Sequence, residues 1–219
     1  MNPRPLKRTK TIRKYVRAAP RRTASLAKVH PGQGLVRKKQ TALLRYADSF
    51  TLASSTLPST RIFRANGLFD PDAAVGGHQP RGFDQLAVLY KRYRVTKVCI
   101  EIWTSPSSPS SDNMIIVTMR NDNNPITTVI NAIEDPEAVM KMADSTRPTY
   151  VKKEVDLKRY MLDYDVDDYA SVVSGLPLNQ LFFHVTSAGI AGVSSQNNQV
   201  QMRISYQAEF FDPQVPASS

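Results

Sequence analysis

Twelve consecutive residues, Val200–Phe211, alternate with period two. Val200, Met202, Ile204, Tyr206, Ala208 and Phe210 fall on one side, and Gln201, Arg203, Ser205, Gln207, Glu209 and Phe211 on the other. A helix would scatter these apolar groups around its axis, whereas a strand collects them on one face. A strand this long needs a second layer to cover that face. Shorter alternations recur at Leu181–Thr186, Val98–Trp103 and Tyr150–Leu157. The apolar run Met114–Met119 lies between a Ser/Pro-rich loop and an Asn/Asp cluster, which also predicts a strand. Phe50–Leu57 and Arg61–Arg64 read as strands near the start, with Pro58 between them.

Long connections separate these strands: Ser105–Asp112, Asp122–Asp144, Leu157–Asp163 and Gly189–Asn198. The second is expected to hold a short helix near Pro136–Met142 and the third a single helical turn. Leu86, Leu89, Tyr90 and Tyr93 at 3-4 spacing predict a helix over Phe83–Tyr93. About eight strands, few helices and no internal repeat imply an all-β antiparallel sandwich. Strands alternating with full helices would have implied a parallel sheet. An immunoglobulin sandwich would use shorter, more regular loops. A single eight-stranded jelly roll over residues 43–219 is therefore expected.

The first 45 residues have a different composition. They contain 14 Lys or Arg and no acid, while residues 46–219 contain 15 Lys or Arg and 19 Asp or Glu, a net of −4. Pro3, Pro5, Pro20 and Pro31 interrupt any long helix, and large apolar groups are scarce. Such a segment cannot bury enough surface to fold alone, so residues 1–42 read as a flexible basic arm. Charge asymmetry of this kind points to a polyanion. The expected nucleic-acid-binding residues are Arg4, Lys7, Arg8, Lys10, Arg13, Lys14, Arg17, Arg21, Arg22, Lys28, Arg37, Lys38 and Lys39, with Arg45 completing the set of cations. If all 14 engaged a single strand, log K would fall with log salt at a slope of about −10. Tyr15 is the one aromatic in the arm, so charge neutralisation outweighs base reading there. A transit peptide shares this composition, but here the basic character runs on to Arg45 without a clear cleavage region. A nuclear-localisation role is compatible with binding.

Several chemistries lack their residues. The single cysteine, Cys99, excludes an intramolecular disulfide framework and a Cys-based zinc finger. No phosphate-binding glycine loop and no nucleophile elbow occurs. No apolar run reaches the length of a membrane span, so membrane insertion is not expected. No secretory h-region is visible near Met1. A metal site would need His78 and His184, which are far apart in sequence. A nucleophile–base pair would need Cys99 beside His184. Both fit structural roles better. Asp163, Asp165, Asp167 and Asp168 resemble the opening of a calcium loop, but Asp168 stands where that loop needs Gly and Ser174 where it needs Glu. No cofactor and no catalytic residue is expected.

Residues 64–95 carry a more specific pattern: Arg64-Ala65-Asn66, Asp70-Pro71-Asp72, Gly76-Gly77-His78-Gln79-Pro80 and Gly82-Phe83-Asp84-Gln85, then Tyr90 and Tyr93-Arg94-Val95. This segment resembles the capsid proteins of small circular, Rep-encoding single-stranded DNA viruses. The resemblance implies a jelly roll that self-assembles into a small icosahedral shell around circular single-stranded DNA. It further implies an inward-facing arm that serves in nuclear import through import receptors, and residence in the virion and, during assembly, the host nucleus. Read physically, the segment is a sharply turned loop: Gly76 and Gly77 permit positive φ, Phe69 and Phe83 are expected to anchor it, and Asp84 to cap the following helix. In a smallest icosahedral shell of roughly 60 copies, the arms would bring about 840 positive charges inward. The alternatives are a non-viral single-stranded nucleic-acid-binding β-barrel and the coat protein of a small RNA virus. An aromatic-basic stripe in the body would favour the first, and none is visible along the chain.

Overall fold

The computed structural model describes residues 36–54, 57–74, 77–106, 113–143, 148–161, 163–189 and 196–214. The strands are β1 (Lys39–Ser54), β2 (Ser59–Arg64), β3 (Tyr90–Pro106), β4 (Asn113–Arg120), β5 (Val139–Ala143), β6 (Thr149–Asp156), the two-residue β7 (Ser171–Val172), β8 (Phe182–Gly189) and β9 (Gln196–Pro213). Among the described residues, three short α-helices join them, α1 (Phe83–Ala87), α2 (Val129–Ile133) and α3 (Leu157–Tyr160), with one 3-10 turn at Asp167–Tyr169.

One sheet runs β1-β9-β3-β6, with β7 also on β3; the other runs β2-β8-β4-β5. Every pairing is antiparallel. Each sheet interleaves early and late strands, so that β1 pairs with β9 and β2 with β8. That order is a doubly wound Greek key, the jelly roll. The inner faces meet in one core. All six inward residues expected in β9, from Val200 to Phe210, are at most 2% exposed. They pack with Tyr46, Phe63, Tyr93, Ile100, Ile102, Phe183 and others.

The expected element limits shift in places, each for a packing reason. β1 begins at Lys39, before residue 43, because its first residues pair with Phe211 and Phe210 of β9. The helix expected over Phe83–Tyr93 stops at Ala87, since β3 already pairs with β9 from Tyr90. Tyr90 and Tyr93 are buried as strand residues, not along a helix. Asp84 does not cap that helix. Gly82, at φ 91°, takes the cap position with no side-chain bond. The segment near Pro136–Met142 forms strand β5, paired to β4, and the helix of this connection lies earlier at α2, capped by Thr128. Phe83 is buried, whereas Phe69 is 38% exposed and does not anchor its loop.

β8 was expected to be half-buried, yet Phe182 through Ala188 are all buried. The β4–β5 connection folds over the outer face of this sheet, where Ile126 and Ala132 pack on Ile116 of β4 and the Asp122 carbonyl meets His184 of β8. In β6, Lys153 keeps the inward register of Val151 and Val155 and is 7% exposed. Its ammonium survives there because Glu137 accepts from it at 2.9 Å. A register shift between Val95 and Lys97 turns β3, so that both Val95 and Thr96 are buried and Lys97 returns to the outer face.

Candidate nucleic-acid interface

Of the expected arm residues, Arg4 through Lys28 lie outside the described residues. Arg37, Lys38 and Lys39 lie where the arm enters β1. The Arg37 carbonyl accepts from the Tyr90 hydroxyl at 3.0 Å, and Lys39 pairs with Glu209 at 3.2 Å. Arg45 is exposed on the same outer face of the β1-β9-β3-β6 sheet.

That outer face carries the body's concentration of cations. From the strands it receives Lys39, Arg45, Arg92, Arg94, Lys97, Lys152 and Arg203 against Glu101, Glu154, Asp156 and Glu209. Lys39 and Arg45 come from the basic first 45 residues, and the other cations of this face are nearly balanced by its carboxylates, Arg203 by Glu101 and Lys152 by Glu154. Arginines also stack on its aromatics. Arg92 and Arg94 lie over Phe211 at 5.3 and 5.9 Å, and Arg203 over Trp103 at 5.6 Å. Trp103 and Tyr150 face each other across the β3–β6 pair with ring centroids 5.4 Å apart, each 37% exposed. Glu101 organises this group. It accepts two bonds from Arg203, at 2.8 and 2.6 Å, and one from the Tyr150 hydroxyl at 2.9 Å. Burial pushes the Glu101 carboxyl up, but the Arg203 and Tyr150 hydrogen bonds outweigh it and hold it below the usual carboxylate range. This aromatic-basic group was invisible along the chain because each strand supplies only one or two of its members.

The acidic cluster has another use. Asp165 pairs with Arg94 at 3.3 Å and reaches Lys158 at 3.9 Å, and Asp167 pairs with Arg92 at 3.2 Å. These carboxylates steer the arginines at the Phe211 end of the sheet. Among the described residues no three His, Cys, Asp or Glu side chains converge as a metal set.

The candidate catalytic pairs do not meet. Cys99 lies on the outer face of β3, between Lys97 and Glu101, and burial pushes its thiol up. His184 lies on β8 in the other sheet, where it meets the Asp122 carbonyl at 2.8 Å. His78 stacks on Tyr46 with centroids 4.5 Å apart. The segment from Arg64 is a structural corner. Arg64 donates to Gln180 at 2.9 Å, to the Asp70 carbonyl at 2.9 Å and to the Asp72 carbonyl at 2.6 Å. Asp72 in turn pairs with Arg61. Asn66, fully buried, donates to the Asn179 carbonyl and accepts from the Leu181 amide, both at 2.9 Å. A Cβ on Gly77 would stand 2.9 Å from that of Asp72, so this glycine serves close approach. No helix among the described residues is long and apolar enough to cross a membrane.

No protein-family model and no curated protein matches the chain. Solved structures do. The mud crab tombus-like virus structure is 10% identical with a TM-score of 0.46, over 84% of this chain and 96% of that one. The Macrobrachium rosenbergii nodavirus semi-empty particle is 13% identical with a TM-score of 0.44, over 85% and 100%. The decameric BFDV capsid protein is 13% identical with a TM-score of 0.42, over 78% and 98%. The jelly-roll assignment rests on the strand order.

Proposed function

We propose that this chain is a viral capsid subunit that self-assembles into a small icosahedral shell and packages single-stranded DNA through its basic arm. The observation that carries the reading is a jelly-roll domain, in the order β1-β9-β3-β6 over β2-β8-β4-β5, preceded by 38 residues with 12 cations and no acid. The resemblance of residues 64–95 supports the DNA virus over an RNA virus. The domain offers structural corners where an enzyme would need a catalytic constellation. Self-association supplies the shell, and the arm condenses the genome by releasing counterions. In this reading the protein resides in the virion, and the arm also engages import receptors so that assembly proceeds in the host nucleus.

Sedimentation velocity of the full-length protein, recorded at 260 and 280 nm, tests the proposal. A large uniform particle with strong 260 nm absorbance is expected, and nuclease-resistant DNA should be recovered from it. A small species in low and moderate salt, with and without added single-stranded DNA, would overturn it.

A further inference from the structure

We infer that the outer face of the β1-β9-β3-β6 sheet, at Trp103, Tyr150 and Arg203, is a base-stacking site for single-stranded nucleic acid, separate from the arm. The inference rests on the nucleic-acid part of the proposed function and not on shell formation.

Trp103 and Tyr150 leave more than a third of their surface in solvent on an open sheet face. Large rings in that position usually mark a contact surface. These rings are also held in place. The single carboxylate of Glu101 binds both the Arg203 guanidinium and the Tyr150 hydroxyl, and Arg203 covers Trp103. Holding the side chains before binding lowers the entropy that a ligand must overcome. The surroundings suit nucleotides. Gln201 lies opposite Trp103, placing an amide one strand spacing from that ring, and Ser49 lies opposite Gln201, one strand further along the same face. Lys152 stands beside Tyr150 on β6, and Arg45 stands on β1 opposite Ser205.

The chemistry selects the occupant. An open sheet face with exposed aromatics stacks unpaired bases, whose π-faces any aromatic ring can accept. Duplex bases present no free face. Lys39 and Arg45, at the β1 side of this face, add phosphate attraction. The arm has Tyr15 as its one ring and cannot supply this function along its length.

Trp103 is the chain's one tryptophan, so its fluorescence reports this site directly. The test titrates full-length protein with a dT oligonucleotide and, separately, with inorganic polyphosphate. The dT oligonucleotide should quench Trp103 and polyphosphate should not. At about 0.5 M salt, where phosphate pairing has weakened, Tyr150→Ala should bind dT about 5- to 100-fold more weakly, while Trp103→Phe should retain binding by anisotropy. Binding of dT without quenching, equal quenching by polyphosphate, or unchanged affinity in Tyr150→Ala would each overturn the inference. So would a Trp103 signal that follows protein concentration without nucleic acid, which would make this face a contact between copies. Failure of the arm reading looks different: dT binding would show no salt dependence at low ionic strength.

Discussion

Thr118 and His184 sit directly opposite each other in the β4–β8 pair, and each keeps a buried polar atom, Thr118 Oγ1 and His184 Nδ1, without a hydrogen-bond partner. Burial lowers the His184 pKa below its ordinary 6.5, and the bond to the Asp122 carbonyl offsets only part of that. The folded imidazole is therefore neutral where the unfolded one begins to take a proton. Below about pH 6.5 the unfolded state binds more protons, so stability should fall with pH until the folded pKa is reached. Thermal unfolding between pH 7.5 and 5 should show this loss, and His184→Gln should flatten it. A His184→Gln profile as steep as the parent's would assign the loss to other groups.

The hydroxyl opposite it makes a sharper contrast. Thr118 Oγ1 is buried without a partner, whereas Thr60 and Thr186 hydroxyls bond each other at 2.9 Å. Thr118→Val should be neutral or stabilise by up to about 1 kcal/mol, and Thr60→Val should cost about 1–2 kcal/mol by orphaning Thr186. Urea denaturation of the two variants checks the sign difference.

The corner at Asn66 should be the most sensitive part of the segment that carries the family resemblance. Its side chain satisfies one buried donor and one buried acceptor of the chain entering β8. Asn66→Ala would leave both unpaired, at about 2–4 kcal/mol. Gly82→Ala should cost less, about 1–2 kcal/mol, because the space is open, with Leu44 at 3.6 Å, and only the positive φ of 91° is penalised. Denaturant midpoints that reverse this order would show that Asn66 is not the clip described here.

How much of this was legible follows from the range of each signal. Period-two patterning acts locally, so the faces of β9, the centre of β3 and β6 were readable from Val200, Ile100 and Val151. The limits of β1 and β3 were not, because Lys39 and Tyr90 become strand residues only by pairing with Phe211 and Pro213. β8 reads as half-buried because the β4–β5 connection, which meets His184 through Asp122, is distant in the chain. The sheet-face group was hidden for the same reason: Glu101, Trp103, Tyr150 and Arg203 form one site only after three strands align. The arm, by contrast, needs no fold for its charge to be read.

Where β1 starts decides how an arm deletion should behave. Lys39 pairs with Glu209, the Arg37 carbonyl accepts from Tyr90, and Val36 packs against the core. Deleting residues 1–35 removes ten Lys or Arg and spares all of these contacts. Its β signature by circular dichroism and its melting temperature should stay near the parent's. Its salt dependence of DNA binding should lose a slope of about 7 in log K against log salt. Deleting residues 1–45 instead strips the first half of β1 from β9, exposes the backbone of β9 from Ser205 to Phe211 and uncovers part of the core. That variant should melt well below the first and aggregate through the freed strand edge. Equal melting temperatures for the two deletions would mean that the first half of β1 contributes little to the sheet, contrary to its register with β9.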